Sequence, residues 1–142
     1  MERLENAAFK SGVLERLAEQ CRRRLPSETC GVLFGTADAA VVRIDGFSVV
    51  RNASPRPSSF FAFDPADWVR TYYEARNRGQ RIVGYFHSHP DGSVLPSPGD
   101  SDGRPLEGTY WIVGVAQENY CIAGYQAAPD GGWLPLRLLP DG

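Results

Sequence analysis

The chain has 142 residues, with 15 lysines and arginines against 17 aspartates and glutamates for a formal net charge of −2, and 42% hydrophobic residues. A chain of this length is expected to form one domain over 1–142 and to bury roughly 68–70% of its unfolded surface, enough for a core without disulfides. Ordinary charge and apolar content exclude intrinsic disorder, and a mildly acidic balance in which Arg22-Arg23-Arg24 is the one basic cluster argues against a nucleic-acid binder.

The first twenty residues are charged at nearly every third position and hold no apolar stretch of signal-peptide length. The longest apolar runs, around Val41 to Val50 and Tyr110 to Ala116, fall far short of the roughly 20 residues of a membrane helix, so neither export nor a membrane partner is expected. The three cysteines, Cys21, Cys30 and Cys121, are widely spaced and contain no CxxC, which suggests neither a disulfide framework nor a thiolate metal site. A reducing cytoplasm fits this usage.

In chain order, Val13, Leu14, Leu17, Ala18, Cys21 and Leu25 recur at steps of three and four and predict an amphipathic helix stopped by Pro26, with its arginines solvated at the terminus. Cys30 to Gly35 and Ala40 to Val50 read as paired strands, with Thr36-Ala37-Asp38 as the turn. After a loop rich in Ser, Pro and Asn, Asp64-Pro65-Ala66-Asp67 opens a second helix with an N-cap residue, a proline at its first position and an acid in its first turn. Trp68, Val69, Tyr72 and Ala75 are its expected buried side, and Gly79 its end. Arg81 to His89 is a strand that turns polar where it runs into a loop dense in Pro, Gly, Ser and Asp. Thr109 to Ala116 and Asn119 to Ala127 read as a hairpin turning at Gln117-Glu118, and Trp133 to Leu139 as a last edge strand. This order predicts an α+β fold, a mixed sheet with a helix packed on each side.

The two histidines, His87 and His89, lie two apart at the polar end of a strand, so period-two geometry points both imidazoles to one face. Asp100 follows to make H-x-H-x10-D, a set of two nitrogens and one carboxylate suited to a tetrahedral Zn²⁺ with one place open for water. By themselves the histidines are equally compatible with a satisfied surface or core pair, Glu28 with a surface acid after a helix, and Ser97 with a turn-shaping hydroxyl.

His87-Ser88-His89-Pro90, seven residues from Pro90 to Pro96, and then Ser97-x-x-Asp100, preceded by Glu28 in Ser27-Glu28-Thr29-Cys30-Gly31-Val32-Leu33-Phe34-Gly35, resembles the signature of the JAMM (MPN+) metalloproteases. The resemblance implies an MPN/JAB fold, a curved mixed sheet flanked by helices that is similar in architecture to cytidine deaminases. It implies one zinc ion per chain held by His87, His89 and Asp100, with Glu28 as general base and Ser97 as hydrogen-bond donor beside the metal. Such a zinc ion would acidify its water and polarise the scissile carbonyl, Glu28 would carry the proton to the departing amine, and Ser97 would help hold the oxyanion. The implied substrate is a ubiquitin-like or sulfur-carrier β-grasp protein, cut after its C-terminal Gly-Gly at an amide or isopeptide bond. Ser88 should face away from the ligands and support them, while Asp91 and Asp102 should be solvated loop acids. One departure from the family's usual pattern is that Ser101 to Gly108 holds two glycines and a proline where a helical turn often follows.

The alternatives are a small-peptide amidase, a metal-free MPN-type binding module, and a cysteine hydrolase built on Cys30, which has no dyad signature and reads as a small buried hydrophobe. A zinc deaminase is disfavoured because the chain has neither PCxxC nor H-x-E.

Overall fold

The computed structural model describes residues 3–96, 108–116 and 119–140. Along these run β1 (Asn6–Phe9), α1 (Val13–Arg23), β2 (Cys30–Asp38), β3 (Val41–Val50), α2 (Pro65–Asn77), β4 (Ile82–His89), β5 (Thr109–Val115), β6 (Tyr120–Ala127), β7 (Trp133–Pro135) and β8 (Arg137–Leu138). The strands make one mixed sheet in the order β7-β6-β5-β4-β2-β3-β1-β8. Within it β1 runs parallel to β3 and to β8, and β4 runs parallel to β5.

The expected last edge strand is divided in two. Trp133–Pro135 pairs with β6 while Arg137–Leu138 pairs with β1 at the opposite end of the sheet order. Between them the Leu136 N–H donates to Gly124 O, and the Arg137 N–H donates to Glu5 O. One short segment therefore joins both sheet edges into a nearly closed barrel, which removes the exposed edges that open sheets must otherwise protect. β1 was not expected from the sequence. Four residues carry too little pattern to announce a strand that is defined by distant partners.

The β2–β3 turn is also displaced from its expected place. Thr36, Ala37 and Asp38 pair with Arg43, Val42 and Val41, and the chain reverses at Ala39-Ala40, where φ is 50° and 64°. Both residues have the positive φ of a type I′ hairpin turn, a turn normally announced by Asn-Gly or Asp-Gly rather than by alanines.

A helix covers each sheet face, as expected. On one face Val13, Leu17 and Cys21 of α1 join Leu33, Ile44, Phe86, Trp111 and Val113 in the main core. On the other, Val32 and Phe34 meet Ala75 of α2 together with Phe63, Trp68 and Tyr85. The Asp64 carboxylate accepts the Asp67 N–H at 3.0 Å and caps α2 as anticipated. Of its expected buried side Ala75 is buried and Trp68 packs against the same core cluster, while Val69 and Tyr72 are 52% and 44% exposed and Thr71 is buried instead. Thr71 is accommodated there because its hydroxyl donates to Asp67 O at 2.8 Å within the helix. Among the described residues no helix is long and apolar enough to cross a membrane.

Candidate active site

β4 lies inside the sheet, between β2 and β5, and its C-terminal end carries the two histidines. The register sets His87 opposite Cys30 on β2 and His89 opposite Gly114 on β5. Strand alternation separates the side chains as expected. The imidazoles share one face, with Nε2 of His87 3.1 Å from Nε2 of His89. Ser88 is fully buried on the other, where its hydroxyl accepts the Thr29 N–H at 2.7 Å and approaches the Cys21 thiol. The Ser88 N–H in turn donates to Thr29 O, so this serine ties β4 to the residue that follows Glu28.

His89 Nδ1 lies 3.2 Å from the Ser93 carbonyl, an acceptor that requires the proton on Nδ1 and leaves the Nε2 lone pair facing inward. The separation of the two Nε2 atoms is close to the about 3.3 Å expected of two imidazoles each bound at 2.0–2.1 Å to one tetrahedral ion. The donor set thus fits half of a zinc site. Asp100, the third expected ligand, lies outside the described residues, as do Ser97, Asp102, the segment after Asp100 and the hairpin turn at Gln117-Glu118. Among the described residues no group of three or more His, Cys, Asp or Glu side chains could hold a metal ion.

Glu28 is 7% exposed, just before β2. It lines a cleft of about 660 Å³ together with His89, Pro26, Ser58, Ser59 and Asp91. The structure therefore brings Glu28 and His89 to one cavity, although β2 and β4 meet only through long-range pairing. Asp91 is exposed and shapes the turn, its Oδ1 accepting the Ser93 N–H at 2.9 Å. Arg22 and Arg23 pair with Glu19 at the end of α1, a solvated helix terminus as expected.

Cys30 is completely buried, and its thiol lies 3.4 Å from Val50 O. Burial, and then the nearby Glu28 charge, pushes this thiol up to about 12. A nucleophilic cysteine works as thiolate, so Cys30 is a core residue and the cysteine-hydrolase alternative loses its chemical basis.

One residue of the site was missed by sequence reasoning. Phe61 stacks on His87, with ring centroids 4.5 Å apart and planes inclined by 18°. Phe61 and Phe63 are two apart in an extended segment, and Phe63 continues the aromatic contact to Trp68 and Tyr85. The alternation in Phe60-Phe61-Ala62-Phe63 signals burial on one side, but it carries no sign that the partner would be an imidazole.

The fold is that of protein DSY2949 from Desulfitobacterium hafniense, whose solution structure superposes with a TM-score of 0.82 at 22% identity, over 94% of this chain and 91% of that one. The chain is 28% identical over 107 residues to a desampylase of Haloferax volcanii, covering 75% of this chain and 76% of the relative. It is 27% identical over 131 residues to a probable TtuB-protein conjugate cleaving protease of Thermus thermophilus, covering 92% of this chain and 74% of the relative. Residues 10–123 match the family described as prokaryotic homologs of the JAB domain. That span runs from just before α1 into β6 and takes in Glu28, both histidines and the loop after β4, and the chain belongs to this family.

Proposed function

We propose that the protein is a zinc-dependent hydrolase of the JAMM type that cleaves an amide or isopeptide bond after the C-terminal Gly-Gly of a ubiquitin-like or sulfur-carrier protein. The observation that carries this reading is the convergence of the His87 and His89 Nε2 atoms beside a cleft that also holds the buried Glu28. Hydrolysis of ubiquitin-like conjugates is supported by the names of the two curated relatives, a desampylase and a conjugate-cleaving protease.

His87, His89 and Asp100 would hold one zinc ion, which when bound supplies a Lewis acid for the scissile carbonyl and a water of lowered pKa. Glu28 takes the proton of the attacking water and passes it to the nitrogen of the breaking C–N bond, so that the amine departs neutral. Ser97 donates its hydroxyl to the developing oxyanion. Phe61 shields one face of His87 from water, and the Ser93 carbonyl keeps the His89 Nε2 lone pair available. Ser58 and Ser59 line the cleft together with Pro90, Asp91, Ser93 and Leu95 of the segment after His89. An extended glycine tail enters such a slot without a side chain to clash.

The test uses Gly-Gly-tailed β-grasp carriers bearing a C-terminal cysteine or a lysine-linked peptide, beside the same carriers with the final glycine changed to valine. Cleavage of the glycine tails alone, lost in Glu28→Gln with zinc retained, is the expected result. Equal cleavage of both tails, or cleavage of short peptides with carriers untouched, would refute it and favour a small-peptide amidase.

A further inference from the structure

We infer that Asn52 is a positioning residue for Glu28: its side-chain amide clamps the loop that holds the glutamate's main chain in place. The inference rests on the hydrolase reading above, in which Glu28 moves the proton. β3 ends at Val50, and Asn52 then forms an isolated antiparallel bridge with Phe63. From there its side chain makes four hydrogen bonds. Nδ2 donates to Glu28 O at 2.9 Å and to Phe60 O at 3.1 Å. Oδ1 accepts the Ser54 N–H at 3.0 Å and the Ala62 N–H at 3.1 Å.

This arrangement uses the full donor and acceptor capacity of a carboxamide, and only one orientation satisfies it, since a flipped amide would set oxygen against two carbonyls. No other side chain of this size offers two donors and two acceptors from one planar group. The loop closed by these bonds returns to the same glutamate, for the Glu28 N–H donates to Pro57 O at 2.6 Å. Both main-chain polar groups of Glu28 are thus held by Asn52 or by the loop it closes. Ser58 and Ser59, in the same loop, line the cleft with the glutamate. A misplacement of about 1 Å at a reacting group costs on the order of 10²-fold in rate, so a clamp on the main chain of Glu28 acts directly on turnover.

The experiment compares Asn52→Ala and Asn52→Asp in the parent and in the Glu28→Gln background, assayed on a cleaved carrier below the melting temperature of every variant. Asn52→Asp keeps both acceptor bonds and removes the two donor bonds, to Glu28 O and to Phe60 O, so it separates the donor side of the clamp from the acceptor side. Both variants should lower kcat by about 10- to 100-fold with a smaller change in KM. In the Glu28→Gln background, Asn52→Ala should change the residual rate by no more than about twofold, because the residue acts through the glutamate. A merely structural role would lower the rate equally in both backgrounds. Amide exchange at Glu28 N–H should quicken about tenfold or more in Asn52→Ala while β5 amides keep their rates. Parent-like kcat in Asn52→Ala, an equal fold-loss in both backgrounds, or unchanged exchange at Glu28 would overturn the assignment. A parent protein that cleaves no carrier would instead overturn the hydrolase reading, and the exchange rates would then still report whether Asn52 holds Glu28.

Discussion

Replacing Gly114 by alanine tests whether the turn after β4 orients His89. Gly114 pairs with His89 across the β4–β5 ladder, and the space where its side chain would stand is taken by that turn. A methyl group there would lie 2.7 Å from the Gly92 carbonyl carbon and 2.8 Å from Ser93 O, and closer still to Gly92 O, all of them main-chain atoms. Ordinary contact begins at 3.4 Å, so Ser93 O has to recede by at least about 0.6 Å. The same oxygen accepts from His89 Nδ1 at 3.2 Å, and a shift of that size directed away from the ring would lengthen the contact to about 3.8 Å, beyond a hydrogen bond. Freed of its acceptor, His89 loses both its ring orientation and its fixed tautomer, a change that typically weakens metal binding by about 10- to 100-fold. Overpacking adds a stability loss of about 1–3 kcal/mol. Competition with a chromophoric chelator measures the affinity and thermal melting the stability. The control is Gly79→Ala at φ +70°, which meets nothing within 4 Å and so carries only the left-handed backbone cost of about 1–2 kcal/mol. It should melt lower while binding zinc as the parent does. A Gly114→Ala protein with parental zinc affinity and turnover would refute the argument that the turn sets His89.

Two further outcomes are expected. Elemental analysis should find one zinc per chain, reduced in His87→Ala and in Asp100→Ala; a stoichiometry of one in either variant would mean that the ligands are assigned wrongly. Iodoacetamide should spare activity because Cys21 and Cys30 are buried thiols pushed up to about 12, and phenanthroline should abolish it; inhibition in the opposite order would return Cys30 to the mechanism.

Much of this protein is decided by short-range pattern. The three-and-four spacing of Val13, Leu17, Ala18 and Cys21 specifies α1 wherever the helix packs. Asp64-Pro65 specifies where α2 begins, since the cap and the proline act on their own peptide groups. The polar end of β4 and the shared face of His87 and His89 follow from a period of two. The proposed reacting groups were thus named from the sequence, as residue types at strand and loop positions. Tertiary structure alone decided what those groups meet. β1 and β8 exist because each finds a parallel partner, and a parallel pair joins segments that the local sequence does not connect. On α2 the packing buried Thr71 beside Ala75 and left Val69 52% exposed, against the order of their hydrophobicity. Phe61 reaches His87, and Asn52 reaches Glu28, across contacts between segments far apart in the chain. Such contacts are satisfied only once the sheet has brought the segments together, because a hydrogen bond or a ring stack acts over a few ångströms of space and is indifferent to distance along the chain.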